Sequence, residues 1–196
     1  KIKLSSPLIK INQKKDQFSI AGKILTNKKK LNRDQINMMN FIFFKNRNIE
    51  NVIFNSENDI FFNINKKLKI KDLEIQSKVN IDKLIIKNDT INLRSYLPNI
   101  EKLVNFENHK IIINYNKNKL DIKGKGKILI KDNFDLINYE VIKNDNKFKF
   151  ETKTNFKNNK LLIDFLDYEK KENLDCSIEI KGNFKKDDSI NFDLIS

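Results

Sequence analysis

The sequence predicts an all-β protein with minor α content, a long antiparallel β-meander whose one-sided sheet curls into an apolar groove. Three observations carry that prediction. Apolar and polar residues alternate with period two over stretches of about ten residues, the pattern of a strand buried on one face. Short breaks rich in Asn, Asp and Lys separate these stretches, and such residues suit the tight turns that join neighbouring antiparallel strands. The apolar residues are themselves biased. Ile, Leu, Phe and Val make up about a third of the 196 residues, 15 of them Phe, while Ala is nearly absent. Ile and Phe suit a pleated surface, and this apolar share is well above that of chains that stay disordered.

Three strands are read directly. From Lys147 to Phe156 one face carries Phe148, Phe150, Thr152, Thr154 and Phe156, and the other Lys147, Lys149, Glu151, Lys153 and Asn155. Between Lys119 and Ile130 the apolar set is Leu120, Ile122, Gly124, Gly126, Ile128 and Ile130. From Leu174 to Phe184 it is Leu174, Cys176, Ile178, Ile180, Gly182 and Phe184. With the breaks at 116–118, 144–146, 157–159 and 185–188, the second half reads as strands over 109–116, 119–130, 134–143, 147–156, 160–166, 174–184 and 189–195. In the first half, shorter strands are expected over 9–11, 17–25, 52–54, 60–64, 67–70, 73–81, 83–86 and 90–93. The whole chain is taken as one segment of a larger protein, with 1–95 less regular and 96–196 a short helix followed by a regular meander. The absence of an initiator Met and the alternation still running through Ile190 to Ile195 underlie that expectation.

Two helices are expected. One spans 99–106 after Pro98, where Ile100, Leu103 and Val104 fall at i, i+3, i+4 spacing. The other spans 33–44, with Asn32 as cap and Ile36, Met39 and Phe43 on one stripe, although its Phe41–Phe44 cluster would equally suit a buried strand. All four glycines, Gly22, Gly124, Gly126 and Gly182, sit inside strand pattern rather than in turns. Gly weakens a strand, so each marks either a bulge or bend that curls the sheet, or a shallow spot on the apolar face.

The formal net charge of +13 raises nucleic acid as a partner,. Two observations set that aside. Lys, Asn, Ile and Phe, all with A/T-rich codons, are inflated together, while Arg, the residue suited to reading bases and clamping phosphates, occurs only at 33, 47 and 94. In the clear strands the aromatics also fall opposite the lysines, whereas a nucleic-acid-binding sheet interleaves the two. The lysines read as a solvated face, with some attraction to anionic headgroups at about 1 kcal/mol per Lys near a membrane surface. Cys176 stands alone and permits no internal disulfide,. No apolar run reaches the ~18 residues of a membrane-spanning helix.

No catalytic constellation is visible, and the chain is not expected to be an enzyme. His109 has no second His or Cys to complete a metal site, and Cys176 points to the apolar face as inert packing. Gly124-Lys125-Gly126-Lys127 lacks the spacing and the Ser or Thr of a phosphate-binding loop. Asp187-Asp188 reads as turn chemistry. No cofactor is implied.

An apolar sheet face must be covered. A second sheet would make a sealed β-sandwich, such as a structural module of a bacterial envelope protein. A curled trough would instead be filled by an apolar ligand. Strands longer than the usual five or six residues favour the trough.

The segments Leu161-Leu162-Ile163-Asp164-Phe165, Tyr168-Glu169-Lys170-Lys171 and Leu174 to Gly182 with Phe184-Lys185-Lys186 resemble a stretch of AsmA-like proteins of the YhdP type. Tyr96-Leu97-Pro98 through Asn105-Phe106, leading to Ile111–Tyr115 and Leu120 to Gly126, resembles it too. The resemblance covers roughly residues 60–196. It implies a bridge-like lipid transfer protein of the bacterial periplasm, tethered to the inner membrane by a helix outside this segment. A repeating β-groove would carry phospholipid between inner and outer membranes. Acyl chains would lie along Leu120, Ile122, Gly124, Gly126, Ile128, Phe148, Phe150, Phe156, Ile178, Ile180, Phe184 and Phe192, with no metal and no nucleic acid involved.

Overall fold

The computed structural model describes residues 4–14, 17–38, 48–87, 100–130, 133–145, 147–163, 167–185 and 191–195. The strands are β1 (Leu4–Lys14), β2 (Gln17–Asn32), β3 (Ile49–Asn65), β4 (Ile70–Lys87), β5 (Leu103–Asn116), β6 (Lys119–Ile130), β7 (Asn133–Asn144), β8 (Lys147–Asn155), β9 (Leu161–Ile163), β10 (Tyr168–Lys170), β11 (Ser177–Lys185) and β12 (Asn191–Ile195), with one helix, α1 (Arg33–Met38). Ten strands form a single antiparallel sheet in the order β1-β2-β3-β4-β5-β6-β7-β8-β11-β12, and β9 with β10 makes a separate hairpin. The sheet is open, and among the described residues no second large sheet faces it. The predicted all-β meander is therefore the observed architecture.

Turn chemistry does what the polar breaks promised. Lys117 and Asn118 both take positive φ, 45° and 70°, as a two-residue turn with the right twist for antiparallel strands requires. Asp145 does the same at 51°. These turns place β5 against β6 and β7 against β8 in unbroken local register.

Bulges in the register explain the curl. One extra residue enters β4 at Asp82, where Ile81 faces Phe54 but Lys83 faces Ile53. Another enters β5 at Asn108, at φ 54°, and β2 has one at Asn27–Lys28. Because Ile81 pairs with His109 and Lys83 with Glu107, the β4 and β5 bulges lie side by side. Lys28 forms an ion pair with Asp82, joining the β2 bulge to that of β4. A bulge bends its strand and raises the local twist, so this line of bulges creases the sheet across at least four strands.

The first half of the sequence concealed two long strands. The short strands expected over 52–54 and 60–64 are one 17-residue strand, β3, and those over 73–81 and 83–86 are one 18-residue strand, β4. Ile75, Ser77, Val79 and Ile81 share a face with Leu84 and Ile86, because the bulge at Asp82 switches the phase from odd to even. Of the strand expected over 67–70 only Ile70 is in β4; residues 66–69 form the turn before it. The strand expected over 90–93 lies outside the described residues.

Further differences have local causes. The helix expected over 99–106 is not formed, since β5 already begins at Leu103. Val104 and Phe106 face the apolar side at strand spacing while Leu103 is exposed, so the i, i+3, i+4 match was accidental. The helix expected over 33–44 is observed at its start as α1. Asn32 Oδ1 accepts from the Gln35 amide at 3.0 Å, and Gln35 Oε1 accepts from the Asn32 amide at 3.1 Å. This is the reciprocal capping box that satisfies two helix-end donors. Met39 and Phe43 lie outside the described residues. The strand expected from Leu174 starts at Ser177, and Leu174 is exposed. Tyr168–Lys170, outside every expected strand, pairs with β9.

Packing concentrates at one rim of the apolar face, beyond the crease. Leu31, Ile36 and Ile49 form one buried cluster with Val52, Phe54, Leu84 and Ile86 around it. Ile100, Val104, Ile128, Ile130 and Leu161 form the other. Thus α1 covers one part of this rim, and the β9–β10 hairpin covers another.

Candidate functional site

Register shows which side chains share the apolar face. Ile113 is directly opposite Ile122, Ile122 opposite Val141, and Val141 opposite Phe150. Phe150 faces Gly182, and Gly182 faces Phe192. One row of apolar side chains therefore crosses β5, β6, β7, β8 and β12, with a glycine at β11. A parallel row runs Ile60, Ile75, Tyr115, Leu120, Lys143, Phe148 and Phe184. Phe148 and Phe184 stack at 4.6 Å with rings parallel to within 1°.

The glycines take their place in these rows. A Cβ on Gly124 would collide with the Tyr139 ring, and one on Gly126 with the His109 ring. At Gly182 a Cβ would stand 2.5 Å from both the Phe150 ring and the Asn191 carbonyl oxygen. Each ring occupies the space that a side chain in place of the glycine would fill. Of the two readings of the glycines, the shallow spots at Gly124 and Gly126 are filled by the protein's own rings, while Gly126 stands opposite the β5 bulge and Gly182 adjoins a register shift between β11 and β12.

His109 and Tyr139 form a polar pair set into this face. The His109 Nε2–H donates to the Lys127 carbonyl at 3.1 Å, and Nδ1 accepts from the Tyr139 hydroxyl at 3.3 Å. Phe106 meets the imidazole edge-on at 5.6 Å. Burial holds the His109 pKa below its ordinary value, against the smaller opposing effect of the Lys127 carbonyl. Burial alone pushes the Tyr139 phenol up to about 12. An uncharged pair is what an apolar surface tolerates.

Of the residues expected to line the groove, Leu120, Ile122, Phe148, Phe150, Ile180, Phe184 and Phe192 share one continuous face. Phe192, on edge strand β12, is 58% exposed. Ile128, Phe156 and Ile178 lie instead in the rim cluster under Leu161. Sequence reasoning missed Ile113 and Val141 in the main row. In Asn133–Asn144 apolar residues fall on both faces, Leu136 and Ile142 on one and Ile137 and Val141 on the other, so alternation there carried no clear phase.

It also missed the polar pins that hold the rim. Asp135 is 2% exposed. Its Oδ1 accepts from the Lys157 and Asn158 amides, both at 3.0 Å, and its Oδ2 from the Asn159 side chain at 2.7 Å. Lys170, 2% exposed, donates from Nζ to the carbonyls of Lys157, Lys171 and Leu174 at 2.9–3.1 Å. These bonds fix both ends of the β9–β10 hairpin, so Leu161 packs on Ile128 and Ile130.

The opposite face is a lattice of charges. Lys123 pairs with Glu140 at 3.0 Å, Lys153 with Glu151 and Glu179 at 3.2 and 3.4 Å, and Lys181 with Glu179 at 2.8 Å. The Lys181 hydrogen bond draws the Glu179 carboxyl below its ordinary pKa, and the Glu140 hydrogen bond raises that of Lys123. Such exposed pairs are screened by solvent and contribute little stability. A shallow recess there is lined by Lys110, Lys123, Lys125, Lys153, Glu140 and Glu151, a set without a nucleophile–base pair. Among the described residues, no three His, Cys, Asp or Glu side chains come together as metal ligands, and no helix is long and apolar enough to cross a membrane.

No family model matches the chain, and no curated protein or solved structure matches it.

Proposed function

We propose that this chain is a lipid-carrying segment of an AsmA-like, YhdP-type protein, and that phospholipid acyl chains lie along its apolar face. The observation that carries this reading is the row Ile113, Ile122, Val141, Phe150 and Phe192, continuous across six adjacent strands. Strands lie roughly 4.8 Å apart, so the row spans about 24 Å. That exceeds the depth of one leaflet, about 15 Å of a ~30 Å hydrocarbon core. Each buried CH₂ supplies about 0.8 kcal/mol, so part of an acyl chain binds usefully through apolar contact alone. Such a surface needs length and smoothness rather than a catalytic group. The periplasmic location, the inner-membrane tether and transport toward the outer membrane come from the sequence resemblance.

Native mass spectrometry of the protein purified from bacteria in mild detergent, followed by lipid extraction, tests the reading. Co-purifying phospholipid that disappears in the double variant Ile122→Asp/Phe150→Asp is the expected result. A lipid-free mass with a melting transition indifferent to added lipid would refute it.

A further inference from the structure

Between β5 and β8 the apolar face carries one acidic and one basic side chain, Asp135 and Lys143. The oxygens of Asp135 are committed to Lys157, Asn158 and Asn159. Lys143 is different. It stands directly opposite Leu120 on one side and Phe148 on the other, half-buried, and Val141 lies two residues inward on the same face. Its stem covers apolar neighbours, as lysine stems do, and its Nζ lies 5.8 Å from the centre of the Phe148 ring. Among the described residues no carboxylate pairs with it, whereas Lys123, Lys153 and Lys181 on the outer face each have a glutamate partner. An ammonium at the edge of an apolar track, without a counter-ion from the protein, is the complement of an amphiphile with an anionic head.

We infer that Lys143 binds the phosphate of a lipid whose acyl chain lies on the Ile122–Val141–Phe150 row. This rests on the lipid reading above and adds a headgroup preference to it. One strand step of two residues separates Lys143 from Val141, about 7 Å, so head and chain are engaged together. The apolar surroundings strengthen the charge interaction relative to bulk water, and Phe148 holds the ammonium at the rim.

Titration calorimetry below the critical micelle concentration tests the inference with three probes: a lysophosphatidic acid, a monoacylglycerol of the same chain length, and inorganic phosphate. The wild-type protein is expected to bind the lysophosphatidic acid at least fivefold tighter than the monoacylglycerol. Lys143→Met should equalise the two, and Lys143→Arg should restore the preference, with circular dichroism verifying that each variant folds. Equal binding of both amphiphiles by wild type and Lys143→Met would overturn the inference and leave the lipid reading standing. Binding of neither amphiphile would overturn both. Inorganic phosphate bound as tightly as the lysophosphatidic acid, and lost in Lys143→Met, would make the site one for free anions and overturn the lipid assignment.

Discussion

Phe150 and Phe192 meet edge to face, ring centroids 6.2 Å apart and planes at 89°, across a strand whose intervening residue is Gly182. The contact exists because the middle strand contributes no side chain there. Edge-to-face pairing favours aromatic rings at such distances, and it ties edge strand β12 to β8 over the top of β11.

Glycine substitutions should therefore differ by what stands in the way. In Gly182→Ala the new Cβ meets the Asn191 backbone carbonyl as well as the Phe150 ring, and backbone cannot rotate aside. A cost of about 1–3 kcal/mol is expected, as for overpacking a filled site, with β12 amides losing hydrogen-exchange protection. In Gly124→Ala the obstacle is the far end of Tyr139. That ring can swing away at the loss of its hydrogen bond to His109, about 1 kcal/mol. Urea unfolding of the two variants would give the ranking, and equal effects would count against this account of the glycines.

Asp135→Ala should loosen the β9–β10 hairpin. It removes the acceptor for two backbone amides and the Asn159 side chain, and unpaired buried donors cost about 1–3 kcal/mol each. A total near 3 kcal/mol is expected, since water reaches part of the vacated site. Limited trypsin digestion should then cut first after Lys157, Lys160 or Lys171. Unchanged cleavage there would show that the Lys170 bonds and Leu161 packing hold the hairpin without Asp135.

Stability should depend on pH through His109. Its folded pKa lies below the ordinary 6.5 because of burial, so in the window below 6.5 the unfolded chain binds a proton that the folded one does not. The contribution is fully present above pH 6.5 and is lost as pH falls toward the folded value. The difference in melting temperature between wild type and His109→Gln should therefore shrink from pH 8 to pH 5.

Tyr139 gives the opposite limb. Its phenol titrates at about 12, above the ordinary 10, so stability should decline between those values as the unfolded chain ionises first. Ultraviolet titration should show a late tyrosine phase that is reduced in Tyr139→Phe.

The legible parts of the sequence were those where alternation runs without interruption. Lys119–Ile130 was read with its observed bounds, because no bulge enters β6 and each inward residue is apolar or glycine. The long strand β4 was read as fragments because the inserted Asp82 inverts the face of everything beyond it, and β3 because its middle, Asn55–Asp59, is wholly polar and interrupts the apolar alternation without any change of phase. Nothing in local sequence distinguishes an inserted residue from the end of a strand. Asp135, Asn159 and Lys170 were invisible for another reason: their partners lie far along the chain or on the backbone, and each looks like the surface residues that abound here. Lys143 was read simply as part of a lysine-rich chain, and only register with Leu120 and Phe148 puts it on the apolar side.

Lipid on this sheet is proposed to lie on one face and not the other. Val141 and Ile142 are adjacent in β7 and point to opposite faces, Val141 between Ile122 and Phe150, and Ile142 between Asp121 and Lys149. A photocrosslinking amino acid placed at each position in turn, with irradiation in bacteria fed radiolabelled phosphate, tests the claim most directly. Labelled phospholipid is expected on the protein from position 141 and none from position 142. Equal labelling at both positions, or none at 141, would contradict it.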